Sequence, residues 1–255
     1  LIIYFHVISK RYTFAQKFLK AYCMYRFYFF LFCAIICASC GKKYKIEGIS
    51  SVSKLDGKML FIKVPSGDKL VNIDSAEVVH GIFKMKGKVD STVIASLYMD
   101  DDCIMPVVIE EGNISINIDK AGFSVKGTPL NDSFNEFIIK KTSLEDRAYE
   151  VERMESRMIM DGKDPKFIQE EMEKQRSALG KDMDELAKSF IEENYDNVLG
   201  AGVFLMLCNG FPYPVLTPVM EEIVNNAPES FKNNPMIKEY VSVARSNMDK
   251  LQAVQ

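Results

Sequence analysis

Few residues in this chain can do chemistry. It has six cysteines and two histidines in 255 residues. Cys23, Cys33 and Cys37 fall in a leader-like segment, and Cys40 closes it. Cys103 and Cys208 remain, 105 positions apart, with no Cys-x-x-Cys to make a thioredoxin-type redox centre or a zinc ribbon. They read as two small buried hydrophobes, with a structural disulfide or free thiols as alternatives. His6 lies in the leader, so His80 stands alone at the end of a strand-like run. That supply is too small for a His-dependent triad or a His-rich zinc site.

The acidic residues are weaker candidates. Asp100-Asp101-Asp102 has three adjacent carboxylates but lacks the spacing and later Glu of a calcium loop. It reads as a solvated turn. Glu110-Glu111 precedes a Gly-Asn turn and reads as a solvated hairpin end. Paired carboxylates can cleave glycosides, but no Trp is present to form a sugar platform. Gly81 and Gly87 do not follow a phosphate-binding spacing, and no Ser-x-x-Lys lies in an apolar context. The expectation is therefore a chain with no catalytic residue, cofactor or metal.

The stretch Phe27–Cys40, FYFFLFCAIICASC, carries thirteen uncharged residues between Arg26 and Cys40. A signal core takes about 7–15 apolar residues and a membrane span about 18 or more, so this is of signal length. Ala38 and Ser39 precede Cys40. The arrangement resembles a bacterial lipobox, with Cys37 where Leu is usual, and makes Cys40 the expected lipid-attachment site. Met24 opens a complete short signal and reads as the start; a longer n-region with Lys10, Arg11, Lys17 and Lys20 is the alternative. Residues 1–39 are set apart from the fold as a signal segment.

That segment holds five basic residues and no acidic one. Of 32 basic and 35 acidic residues in the chain, the remainder keeps 27 and 35, a net charge of −8. Such a balance disfavours a nucleic-acid partner. The remaining 216 residues, 40–255, are enough to bury a large core.

Two halves with different periods stand around these residues. Strands are expected at 44–50, 58–64, 71–79, 81–89, 94–99, 104–110, 113–119 and 123–127. In 113–119, Ile114, Ile116 and Ile118 share one face. Turn signals separate the runs, among them Asp56-Gly57, His80-Gly81 and Ala121-Gly122. Eight short strands without intervening helices predict an antiparallel sandwich or barrel-like domain over 40–127.

From Pro129 the apolar residues step by three and four: Leu130, Phe134, Phe137, Leu144, Ala148, Val151 and Met158. Thr128 is the expected N-cap, with Pro129 first in the helix. After Asp161–Pro165 a second stripe runs from Ile168 to Phe190, so 128–255 begins with a long αα-hairpin. Its charged outer faces suit either a solvated pair or a partner-binding arm. Residues 197–208 are apolar all round and should be buried. Shorter helices follow from Pro218 and Pro235. The fold class is α+β.

Asp74-Ser75, then Gly81, Phe83 and Gly87, and finally Gly127-Thr-Pro-Leu-Asn-Asp132 form a pattern. It resembles a domain of unknown function common in lipoproteins of the Bacteroidota. That domain usually sits N-terminal to a thioredoxin-like disulfide reductase or peroxiredoxin-type domain. No Trp-Cys-x-x-Cys is present in this chain, so no redox residue carries over. The resemblance implies a lipid-anchored envelope protein, on the periplasmic side of an inner or outer membrane. It would bind a protein partner or an envelope ligand. The alternative is an accessory subunit of thiol-disulfide exchange beside a separate thioredoxin-like protein, in which Cys103 and Cys208 would matter.

Overall fold

The computed structural model describes residues 42–67 and 69–252, with side chains to Lys250. Cys40 and residues 1–39, expected to be a signal segment, lie outside the described residues. From Lys43 onward the chain forms one compact unit.

Eight strands come first: β1 Lys42–Ser50, β2 Met59–Ser66, β3 Lys69–Glu77, β4 Ile82–Val89, β5 Val93–Met99, β6 Asp102–Ile109, β7 Gly112–Ile118 and β8 Phe123–Lys126. They build two four-stranded sheets. One has the order β4-β1-β7-β8 and the other β3-β2-β5-β6. Alternation buries one face of each. Tyr44, Ile46, Phe83, Met85, Ile114, Ile116 and Ile118 of the first sheet meet Leu60, Ile62, Leu97, Met105, Val107 and Ile109 of the second in one apolar cluster. The architecture is a sandwich.

One pairing departs from the antiparallel expectation. β1 runs parallel to β7, with Tyr44 opposite Gly112 and Ser50 opposite Ile118. Strands β2 to β6 lie between these two in sequence. They supply the long excursion that parallel neighbours require, but build it from the other sheet and from β4 rather than from a helix.

The two long edges of the sandwich are closed differently. At one, β3 passes into β4 through Val79-His80-Gly81-Ile82. His80 and Gly81 both have positive φ, 52° and 74°, as a two-residue type I′ hairpin demands. At the other, β6 and β8 are the terminal strands of their sheets, and a helix covers both.

That helix is α1, Pro129–Met160. It is followed by α2 Pro165–Glu193, α3 Val198–Cys208, α4 Pro218–Asn226, α5 Glu229–Lys232 and α6 Pro235–Gln252. The four-residue α5 has too little periodicity to be read from sequence. Asp164 caps α2 through its carboxylate, which accepts from the amides of Lys166 and Phe167. Asn197 caps α3 and Thr217 caps α4 in the same way. The helices bury a second apolar cluster around Phe134, Phe190, Leu199, Phe204, Ile223 and Ile237. Val108 of β6 belongs to this second cluster, while its neighbours Val107 and Ile109 belong to the first. β6 is thus the wall between the two cores. This is why residues 107–109 are apolar without alternation.

Candidate functional site

Cys103 and Cys208 are both free thiols. Cys103 sits on β6 with its side chain exposed, so it is not one of the core hydrophobes the sequence suggested. A bulge explains the difference: the register shifts between Leu97 and Tyr98, so Cys103 leaves the inward set of Met105 and Val107 and shares the outer face of its sheet with its register partner Tyr98. The Lys63 ammonium lies 4.6 Å from the Tyr98 ring centre and 5.8 Å from that of Phe61. It also donates to the Asp100 carbonyl at 3.3 Å. Burial, and then the adjoining Cys103 thiol, raise the Tyr98 hydroxyl above its ordinary value. Cys208 does match the core reading. It is buried at the end of α3, and burial pushes its thiol up to about 11. At neutral pH Cys208 is a protonated thiol without nucleophilic character.

Asp100, Asp101 and Asp102 form an exposed corner between β5 and β6, with Asp100 at φ 54°. Among the described residues, no group of three or more His, Cys, Asp or Glu is placed to hold a metal ion. No helix among them is long and apolar enough to cross a membrane.

The densest polar cluster is one the sequence reading missed. Glu110 is 8% exposed rather than a solvated hairpin end. Its Oε1 accepts from the amides of Leu130 and Asn131 at 2.9 and 3.1 Å. A carboxylate therefore caps α1 from a distant strand, where two unpaired N–H groups and the positive end of the helix dipole favour an anion. Thr128 occupies the N-cap position but makes no cap bond. Its hydroxyl is engaged otherwise, accepting from Asn131 Nδ2 at 2.8 Å.

Asn131 then treats β6 as a neighbouring strand would. Its Oδ1 accepts from Val108 N at 2.9 Å, and its Nδ2 donates to Val108 O at 2.7 Å. One turn later, Asn135 Oδ1 accepts from Val125 N of β8 at 3.4 Å. Two asparagines on one helix face thus satisfy the edges of two different sheets. Asp132 accepts from Gly127 N at 2.9 Å, holding the turn into the helix. Gly127 has φ +101°, and a Cβ there would lie 2.6 Å from the Asn113 carbonyl. Among the described residues, no buried side-chain nitrogen or oxygen lacks a partner. This network is closed on itself, and its chemistry is that of a joint. The signal for it was present: an apolar run ending abruptly on Glu110, followed by Thr-Pro-Leu-Asn.

The other patterned residues are also placed for packing. Phe83 lies over Gly48, and Tyr44 over Gly87. Gly87 is therefore needed within a strand, to admit a ring, and not at a hairpin. Gly81 does serve a turn, where a Cβ would stand 2.5 Å from the Ser50 carbonyl. The Tyr44 hydroxyl donates to Asp74 Oδ2 at 2.9 Å, tying β1 to β3 and accounting for the acid of Asp74-Ser75.

Residues 44–134 match the family model described as a domain of unknown function, DUF4369. The matched span covers the sandwich from Tyr44 of β1 to the end of β8 and the first turn of α1, including Glu110 and Asn131. Gly81, Phe83, Gly87 and Gly127–Asp132 all fall within it. No curated protein and no solved structure matches the chain.

Proposed function

We propose that the chain is a non-catalytic, lipid-anchored protein of the cell envelope that offers its helical hairpin to a protein partner. The observation that carries this is the far end of the hairpin. α1 and α2 have 32 and 29 residues, roughly 45 Å at 1.5 Å per residue. α1 buries only residues between Asn131 and Phe137, so its outer three-quarters contributes no buried side chain of its own, while α2 buries Ile168 and Met172 near the turn. Near the turn, Ile159, Met160 and Phe167 are exposed, Met160 to 79%. Arg147–Asp182 and Arg176–Glu155 ion pairs, at 2.8 and 2.5 Å, brace the two helices against each other. A braced arm with an apolar tip suits docking of a second protein. The anchoring half of the proposal rests on Phe27–Cys40.

The test is in-cell crosslinking of the full protein, followed by mass spectrometry, with and without Ile159→Asp and Phe167→Asp together. The expected result is a reproducible envelope partner lost in the double variant. Unaltered crosslinks in that variant would count against the arm. Fatty-acid labelling of the protein and its Cys40→Ala variant tests the anchor separately; labelling that survives the substitution removes Cys40 from the proposal.

The accessory thiol-exchange reading is favoured by one observation, the exposed free Cys103. Cys208 is excluded from it by burial. Trapping of a mixed disulfide at Cys103 with a thioredoxin-like protein would support this second reading. Its absence in cells carrying a resolving-cysteine trap would remove it.

A further inference from the structure

The outer face of the first sheet is basic. Lys43 and Lys45 of β1, Lys84, Lys86 and Lys88 of β4 and Lys126 of β8 are all exposed there. Ser50 donates to the Gly81 carbonyl, Glu47 pairs with Lys84, and Gly48 and Gly87 lie under Phe83 and Tyr44. β1 and β4 therefore run antiparallel, in a register that sets Lys43 opposite Lys88 and Lys45 opposite Lys86. Like charges directly opposed in a sheet destabilise it. Glu47 is the single acid among them, bonded to Lys45 at 2.7 Å. A depression of roughly 470 Å³ opens between the lysine pairs, with Glu111 at its rim. At the other end of the same face, Ile49 and Ile82 oppose one another, 62% and 49% exposed.

We propose that this face is a peripheral membrane-docking surface for anionic lipid headgroups. Beyond Cys40 the chain is acidic overall, so six lysines against one glutamate on one face is a segregated charge, not a reflection of composition. Screening over about 10 Å confines each charge's influence to its own face, so the remaining acids do not cancel it. Lysines at an anionic surface gain from its potential, and exposed isoleucines beside them add apolar contact with the lipid boundary. A single acyl chain anchors marginally and a basic patch supplies a second attachment. The proposal deepens the anchored-envelope reading, because Lys43 follows Cys40 by three positions. It fixes which face of the domain turns to the bilayer.

The test uses residues 43–255, the compact unit that holds both apolar cores and all six lysines, so its outcome is independent of Cys40. The unit is sedimented with vesicles of phosphatidylcholine containing phosphatidylglycerol and with phosphatidylcholine alone, at roughly 0.05 M and 0.5 M salt. Binding is expected only to the anionic vesicles and only at low salt. The decisive variant is Lys86→Glu with Lys88→Glu. It converts both like-charge pairs to opposite-charge pairs, so the fold is expected to melt no lower than wild type. Vesicle affinity should nevertheless fall at least about tenfold. Lys163→Glu with Lys166→Glu, on the hairpin turn, should leave binding unchanged. Equal binding to neutral vesicles, no binding to anionic ones, or unaltered binding by the Lys86/Lys88 variant each overturns the proposal. Failure of the lipid anchor would show instead in the fatty-acid labelling of Cys40.

Discussion

The Phe83 ring lies so close over Gly48 that a Cβ at position 48 would stand 2.0 Å from its Cζ. The ring takes the volume a side chain would have filled, and Phe83 is 1% exposed as a result. Gly48→Ala should therefore destabilise the protein by about 1–3 kcal/mol through overpacking. Phe83→Ala should cost about 3–5 kcal/mol. The two substitutions share one volume, so together they should cost less than their sum. Urea unfolding of the four proteins of the cycle measures the coupling, and strict additivity would contradict the geometry.

Asn131 should be the most sensitive polar residue of the chain. Asn131→Ala leaves the buried amide and carbonyl of Val108 unpaired, at about 1–3 kcal/mol for each group. Asn135→Ala removes one longer bond and should cost about 1 kcal/mol or less. Glu110→Gln keeps the shape but removes the anion at the head of α1, for roughly 1 kcal/mol. Hydrogen exchange at Val108 N reports the first case directly: protection should fall in Asn131→Ala while Asn135→Ala leaves it intact.

The two cysteines should separate cleanly under alkylation. Iodoacetamide at neutral pH is expected to modify Cys103 in the native protein and to reach Cys208 only on unfolding. Peptide mass mapping reads both. Linkage gives a pH dependence as well. The folded Cys208 thiol sits at about 11 against an ordinary value of 9.0, so the fold favours the protonated form. Its contribution is complete below pH 9 and is lost as pH rises through about 11. Cys208→Ala should flatten that part of the alkaline unfolding curve.

Two glycines of α3 predict opposite tolerance. A Cβ on Gly200 would lie 2.4 Å from the Asn194 carbonyl at the end of α2, and backbone cannot move aside. A Cβ on Gly202 would meet only the Ile94 Cδ1 at 2.2 Å, the tip of a side chain that can change rotamer. Gly200→Ala should lower the melting temperature distinctly more than Gly202→Ala. Reversal of that order would mean α3 docks against the sheet more rigidly than against α2.

Local patterns in the chain were readable wherever burial alternates. Ile114, Ile116 and Ile118 announced β7, and the stripe from Leu130 to Met158 announced α1. The Gly-Pro break and the all-apolar 197–208 segment also behaved as their periods require. The partnership of β1 with β7 was not readable. It depends on which sheet each strand joins, and no residue within either strand encodes that. Glu110 was misread because a carboxylate beside a Gly-Asn turn is usually hydrated. Its hydration is replaced by amides from residues twenty positions on, and sequence alone does not bring them near. Cys103 was misread for the converse reason: alternation with Met105 and Val107 would set it inward, but a bulge opposite Leu97 and Tyr98 shifts the register by one and turns it outward.

The parallel pairing of β1 with β7 also has a kinetic meaning. Tyr44 and Gly112 are sixty-eight residues apart, so β1 has no completed sheet until β7 has been made and brought back to it. Closing so long a loop before any ladder forms is slow relative to hairpin formation. The β2–β3 and β5–β6 hairpins of the second sheet, each joined by a short connection, are free to form first. β1 can ladder with β4 earlier, but its other edge is consequently among the last to be secured, and stays open until β7 is in place.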